Sequence, residues 1–401
     1  MHQISIERAN VEEVFDSSRE DWKQLFAGVN CSPFLSWEWL STWYKCFGAN
    51  SDPIVLKAYR QNQLIGLLPL YSQEKKILGL KLKRLGFIGE THGADYLDLI
   101  AKPEDKSEVL SAIFDFLKKE QCFDLICFDN MASDSPSIGF LRDFSKRMTK
   151  GVLRYSALTT EVCPQIDLSG GWEAVLKQSK RASNFKRRLK QLQKMPGFEF
   201  RSITAPDEAE EAFERFYRLH EQRWSGNGGS ELSGHPRLAS FHRDLVPKLA
   251  QAGLLRFDEL WVDGECRSSV YGLEKGNTFY YFNSGYDLEW SNLSVGLVLI
   301  GLSVKNSIER GNSLYDFLRG DETYKFDWAN QKSELVNLNL SRRKASVLAH
   351  EAKQLAWHSV RNLSESALPT DFAETLKNLW RKWKRNYQLS DPEAEKIRQA
   401  L

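Results

Sequence analysis

One order of elements, readable twice along the chain, limits its fold more than any other feature. Pro53–Tyr59 and Leu64–Leu70 are apolar-rich runs joined by a polar turn at Arg60–Gln63, the pattern of paired strands. Lys83–Ile88 and Tyr96–Ile100 read as further strands, Ser107–Glu120 as a helix and Phe123–Phe128 as a buried strand. Near residue 165 the pattern begins again. Leu255–Val262 and Arg267–Leu273 flank the tight-turn pair Asp263-Gly264. Residues 275–277 then turn into a strand at 278–284, and a helix at about 293–310 leads to a strand at 313–318. Helices precede each set. In the first, one follows the strand Ile4–Ile6 and one carries Trp39 and Trp43 on a single face; in the second they span about 172–195, 206–224 and 236–252. Strands interleaved with helices predict an α/β (α+β) fold of mixed sheets flanked by helices. The repetition predicts two diverged copies of one unit.

Length agrees. At 401 residues the chain exceeds the ~250 that a single core usually serves, and we expect domains at 1–160 and 161–341. A helical tail is expected at 342–401, with Phe372, Leu376, Leu379, Trp380, Trp383 and Tyr387 in one apolar stripe. That stripe either docks on the second domain or attaches to a membrane.

Composition removes several classes of function. A net charge of +2 gives no global field for nucleic acid. Six cysteines without Cys-x-x-Cys spacing argue against zinc and against a disulfide framework, so no metal is expected and a reducing compartment fits. The first residues lack the apolar core of a signal peptide. The longest uncharged apolar stretch, Ser291–Val304, is 14 residues, short of the ~20 that span a bilayer. The expectation is a cytoplasmic protein, peripherally membrane-associated at most. Twelve tryptophans serve either core packing or a sugar-binding surface.

Chemistry concentrates in Phe317–Trp328, which turns at Gly320 and presents Arg319, Asp321, Glu322, Tyr324 and Lys325. Upstream, Tyr280–Asp287 is a strand running into a loop, with Gly296 near the start of the next helix. A strand, loop, helix and second strand ending in charge suit an activated acyl donor, and point to group transfer. Between Lys177 and Lys194 stand eight Lys or Arg residues and no acid, over a seam of Ala182, Phe185, Leu189 and Leu192. Such a face binds tRNA, an anionic glycan or a membrane surface, or is simply solvated.

From about Gln178 to Trp328 the chain resembles the GNAT superfamily of acyltransferases. More narrowly it is similar to cellulose-biosynthesis acetyltransferases of the CelD type, related to Fem peptidyltransferases. The resemblance rests on the basic helix Ser179–Met195, on Leu219-His220-Glu221-Gln222-Arg223-Trp224 and on the Asp263-Gly264 hairpin. It continues through Tyr286–Gly296 and Asp316–Asp321 with Tyr324-Lys325, and Phe34–Trp43 resembles the start of the family's first half. It implies tandem GNAT-like domains, with acyl-coenzyme A between the strands at 278–284 and 313–318.

For single residues the resemblance implies roles beside which ordinary ones stay open. Asn283, Ser284, Leu293, Ser294, Val295, Gly296 and Arg319 would bind the donor. Ser294 would cap the helix, and a backbone N–H at the first strand's end would bind the oxyanion. Lys325 would stabilise negative charge or pair with Asp321 or Glu322. Tyr324 would protonate the leaving group or pack. Asp287 and Asp321 would deprotonate the acceptor or stabilise turns. Trp224 and Tyr286 would contact the acceptor, and His220 would reach the cleft or sit in the core. The family's pyrophosphate loop carries two glycines and a leading Arg or Gln, whereas Trp290–Gly296 has one glycine and no basic residue. Three functions follow. The first is acyl transfer from acyl-coenzyme A to an amine or hydroxyl of a small-molecule or glycan acceptor, a sugar or envelope polysaccharide precursor. The second is Fem-like transfer from aminoacyl-tRNA. The third is a non-catalytic accessory subunit of a polysaccharide-synthesis complex.

Overall fold

The computed structural model describes residues 3–353 except 10–14, 16–18, 50, 148–152, 226–229, 231 and 233. The expected tail stripe therefore lies outside the described residues. The first copy of the unit comprises β1 (Ser5–Ala9), α1 (Arg19–Ala27), α2 (Trp37–Phe47), β2 (Asp52–Arg60), β3 (Gln63–Ile77) and β4 (Leu80–Phe87). It continues through β5 (Ile100–Ala101), α3 (Pro103–Glu120), β6 (Leu125–Ala132), α4 (Pro136–Arg147) and β7 (Leu153–Asp167). The second begins with α5 (Gly171–Gln178), α6 (Ala182–Leu192), β8 (Glu199–Ile203), α7 (Ala209–Ser225), α8 (Pro236–Gln251) and β9 (Leu255–Val262). It ends with β10 (Glu265–Lys275), β11 (Thr278–Tyr286), α9 (Val295–Glu309), β12 (Leu314–Asp316), α10 (Thr323–Phe326) and β13 (Gln331–Arg342).

The strands form one mixed sheet in the order β1-β2-β3-β4-β6-β13-β7-β12-β11-β10-β9-β8, with β5 beside β3. Read from its two ends, the order is the same unit twice: β1 to β4 then β6, and β8 to β11 then β12. In each copy only one neighbouring pair runs parallel, and it holds for three residue pairs. Arg84–Gly86 lie against Leu125–Cys127, and Thr278–Tyr280 against Leu314–Asp316. The copies then exchange a strand. β7 pairs with β12 of the second copy, while β13 returns to pair with β6 of the first. The boundary expected between 160 and 161 falls inside β7.

Local chemistry explains the elements. Gln61 and Asn62 (φ 51° and 63°) and Asp263 and Gly264 (φ 54° and 74°) take the doubly left-handed turn that matches strand twist. Ser36 caps α2, its hydroxyl accepting from Trp39 N at 3.3 Å. The expected helix at 172–195 is broken: Ser179 is extended (φ −68°, ψ 128°) and its hydroxyl accepts from Arg181 N at 3.1 Å, leaving α5 and α6. The strand expected at 96–100 shrinks to Ile100–Ala101, with Tyr96 at φ 58°. That at 313–318 shrinks to three residues.

Among the described residues two large cores and one small one hold the sheet. On one face α9 packs among α5 and α6, and Gly301 matters there: a Cβ would stand 2.3 Å from the Phe185 ring. Arg256 and Asp258 of β9, both buried, pair at 2.9 Å, and Arg256 also donates to Ser307 Oγ of α9 at 2.7 Å. On the other face the copies interlock, with Phe282 against Trp39, His242 and Tyr271. At the joint, Tyr96 and Gln165 donate to the buried Asp316 carboxylate at 2.9 and 2.7 Å. Burial raises its pKa to about 6.

Candidate active site

The end of β12 decides where a site can open. β11 continues six residues past its last partner there, Tyr280, so its edge toward β12 is left unpaired. In the first copy the same gap is filled. Arg84 donates to Tyr71 Oη at 3.0 Å and pairs with Glu90 at 2.7 Å, and a Cβ on Gly86 would collide with both charged groups. In the second copy a cleft of about 220 Å³ remains, lined by residues that include Tyr281, Ser284, Tyr286, Gly296, Tyr324 and Arg223.

A bulge aims the strand's side chains at it. On β11 the register against β10 jumps from Tyr281 to Asn283, leaving Phe282 as an extra residue. Strict alternation would put 283 and 285 on the Tyr281 face; the bulge instead brings Ser284 and Tyr286 there. Beyond it, Gly285 lies so close to α7 that a Cβ would stand 2.3 Å from His220 N. His220, buried, bonds through Nδ1 to the Ser284 carbonyl at 3.0 Å, so Nδ1 carries the proton, and Nε2 meets Ser230 Oγ at 2.8 Å. Desolvation lowers its pKa to about 4.

Three hydroxyls and one guanidinium form the wall. Tyr324 and Tyr281 are hydrogen-bonded to each other, and Tyr281 Oη donates to Ser284 Oγ at 2.5 Å. Arg223 Nη1 donates to the same oxygen at 3.1 Å. Burial holds both phenols above their ordinary pKa, so each keeps its proton at neutral pH.

The opposite wall is the start of α9. Its first backbone bond runs from Val298 N to Ser294 O at 3.1 Å, and Val295, Gly296 and Leu297, whose N–H groups precede that bond, all line the cleft. Ser294 holds the cap position at φ 55° but its side chain makes no capping bond, contrary to expectation. The positive charge missing from Trp290–Gly296 is present in space: Arg181, at the start of α6, lines the cleft and pairs with Asp327 at 3.3 Å.

The other residues singled out from the sequence stand elsewhere. The Lys325 ammonium is buried, donating to Arg319 O at 2.6 Å and pairing with Glu322 at 2.9 Å. Arg319 reaches into the first copy, donating to Ala94 O and Asp95 at 2.5 Å each. Asp287 caps the turn at 288–293, accepting from Glu289 N at 3.1 Å and from Arg267 at 3.0 Å. Asn283 Oδ1 accepts from Ser284 N at 2.8 Å, Leu293 packs on the core of α9, and Asp321 is exposed. The Trp224 ring lies 5.3 Å from the Arg223 guanidinium. Arg181, Arg223, Tyr281 and Asp327 were not singled out for the cleft: Arg181 and Arg223 come from other elements, Tyr281 reads as an ordinary strand residue, and Asp327, though inside Phe317–Trp328, was not among the charges named there. Among the described residues no group of His, Cys, Asp and Glu could hold a metal ion, and no helix is long and apolar enough to cross a membrane.

Comparison with known proteins converges on the same segment. Residues 179–326 match the family model of the acetyltransferase (GNAT) domain. This segment is a GNAT domain. The fold extends the likeness over most of the chain. A crystal structure of FemX superposes with a TM-score of 0.59 at 12% identity, covering 82% of this chain and 96% of that one. A conserved protein of unknown function from Bacteroides thetaiotaomicron gives 0.52 at 11% identity, over 84% and 100%. The C-terminal domain of a putative lysylphosphatidylglycerol synthetase from Agrobacterium fabrum gives 0.51 at 10% identity, over 86% and 97%. At such identities these neighbours establish the fold alone. No curated protein matches the chain. The match thus spans the cleft-bearing copy.

Proposed function

We propose that the cleft takes the acyl arm of an acyl thioester, acyl-coenzyme A, and transfers the acyl group directly to an amine or hydroxyl. The observation that carries this reading is the parting of β11 from β12 after Tyr280 and Asp316, beside a cleft walled by the bulged strand end and the first turn of α9. The N–H groups of that turn and Arg181 suit the donor's phosphates. The acceptor's lone pair attacks the thioester carbon, a C–N or C–O bond forms, and the C–S bond breaks through an oxyanion stabilised by donors at the strand end. Tyr324, kept protonated by burial, gives its proton to the departing thiolate. The acceptor's proton is lost to water in the cleft. The resemblance to CelD-type enzymes favours a sugar or envelope polysaccharide precursor as acceptor.

The test is ligand-induced stabilisation. Coenzyme A should raise the melting temperature of the protein, and Gly296→Val, whose Cβ would already stand 3.3 Å from the Tyr286 ring, should abolish the rise. Absence of stabilisation by coenzyme A or any acyl-coenzyme A overturns the reading.

A second reading, transfer from aminoacyl-tRNA, is favoured by one feature. Lys177, Lys180, Lys186, Arg187, Lys190 and Lys194 are exposed, and none has an ion-pair partner among the described residues. The name of the neighbour FemX leads the same way. Salt-sensitive binding of aminoacyl-tRNA, with no response to coenzyme A, would select it.

A further inference from the structure

Most buried or half-buried arginines in this protein are matched by carboxylates; among the described residues Arg188, Arg223 and Arg342 are not. Arg84 pairs with Glu90, Arg215 with Glu259, Arg256 with Asp258, Arg267 with Asp287 and Arg319 with Asp95. Of the three unmatched, Arg223 is the one that lines the cleft. It is half-buried in the cleft wall, has no ion-pair partner among the described residues, and makes one hydrogen bond, to Ser284 Oγ. Its guanidinium is framed by the rings of Tyr286, Trp224 and Tyr324 at 5.1, 5.3 and 5.9 Å. Beside it the Trp224 indole N–H is buried without an acceptor among the described residues. Ring faces attract the cation but cannot accept its in-plane N–H bonds, so most of a five-donor fork is unanswered among the described residues. A partly desolvated charge and an unsatisfied indole donor side by side are costly in the free protein, and a ligand anion would offset both.

We propose that Arg223 is the anion-reading group of the cleft, binding a carboxylate or phosphate carried by the acceptor near its nucleophilic amine or hydroxyl. This deepens, and rests on, the acyl-transfer reading. The donor's phosphates have the α9 turn and Arg181. Arg223 comes from α7, and is held by Ser284 at the strand end where the reacting carbonyl lies. A fork fixed through one nitrogen and walled by rings presents its other edge to a paired-oxygen anion, a geometry that a lysine ammonium does not reproduce.

The experiment titrates the full chain with N-acetylglycine and glycerol 3-phosphate, and with their neutral analogues N-acetylglycinamide and glycerol, by isothermal calorimetry. One anion should bind about tenfold or more tightly than its neutral partner, and which one does identifies the acceptor's charge. Arg223→Gln should abolish that preference and Arg223→Lys should restore only part of it, with stabilisation by coenzyme A unchanged in both. A preference that survives in Arg223→Gln overturns the proposal, as does the absence of any preference in the unmodified protein. Loss of coenzyme A stabilisation in Arg223→Gln also overturns it, by assigning the residue to the donor. If coenzyme A fails to stabilise the unmodified protein, it is the acyl-transfer reading that falls.

Discussion

A single carbon added at Gly285 tests how α7 is seated on the active strand. A Cβ there would stand 2.3 Å from His220 N, 2.6 Å from Leu219 C and 2.8 Å from His220 Cα. These are backbone atoms, so no side-chain rotation relieves the clash. Ordinary contact begins at 3.4 Å, so α7 and β11 must separate by about 1 Å. Overpacking of this kind costs ~1–3 kcal/mol. For a chain of this size that is a fall in melting temperature of at most several degrees. The functional effect should be larger. His220 and Arg223 leave the Ser284 carbonyl and hydroxyl together, and misplacement by ~1 Å in a positioned site can cost ~100-fold in rate. Gly285→Ala should therefore fold, melt several degrees lower and lose the Arg223-dependent anion preference. Gly139→Ala in α4 is the control: a Cβ there meets nothing within 4 Å, and a glycine-to-alanine change in a helix should stabilise by up to ~1 kcal/mol. If Gly285→Ala melts within a degree of the unmodified protein and keeps its anion preference, α7 is not where the structure puts it.

Asp95→Asn should destabilise the protein toward the low end of ~3–5 kcal/mol, because it removes the charge that answers Arg319 across the two copies, and Arg319 is partly exposed; a melting temperature unchanged within error would show that the bond does not couple them. His220 gives a pH signature. Its folded pKa of about 4 lies below the ordinary 6.5, so the unfolded chain binds a proton that the native state refuses. Its contribution is complete above pH 6.5 and is lost as the pH falls toward 4, by ~3 kcal/mol at most. Denaturant titrations across that window should show a shallower acid dependence for His220→Gln, and identical slopes would mean that the imidazole is solvated.

The second copy was the more legible in sequence, and the reasons are physical. Asp263-Gly264 demands its turn, and β9, β10, β11 and α9 have apolar patterns that tertiary contacts do not override. β7 was invisible because Leu153–Asp167 has little alternation: much of it is solvent-exposed, including Leu158, and Pro164 interrupts it. β13, with Val-Asn-Leu-Asn-Leu at 336–340, carried a period-two signal, yet no strand was expected between 318 and the tail at 342. In the site, Ser284, Tyr286, Ser294, Val295, Gly296 and Tyr324 come from one continuous segment and meet in the cleft. Lys325 and Arg319 belong to the same segment, yet their directions are set by Glu322 one turn away and by Asp95 in the other copy. The Phe282 bulge decides which strand residues face the cleft, and no residue type announces it.

The two copies show what distinguishes a site from a scaffold in this fold. Each opens a parallel pair after three residues, and each must then satisfy the exposed edges. The first copy does so internally, with Arg84, Glu90 and Tyr71 closing on one another where a ligand would enter. Burial drives the Glu90 pKa up even beside Arg84, the cost of a plug made from charges. The second copy leaves its edge open and ties the walls from behind, with Arg256 and Asp258 joining α9 to β9 and His220 joining α7 to β11. Exchange of β7 and β13 then makes each half of the sheet incomplete without the other copy, so the plugged unit acts as a brace for the open one.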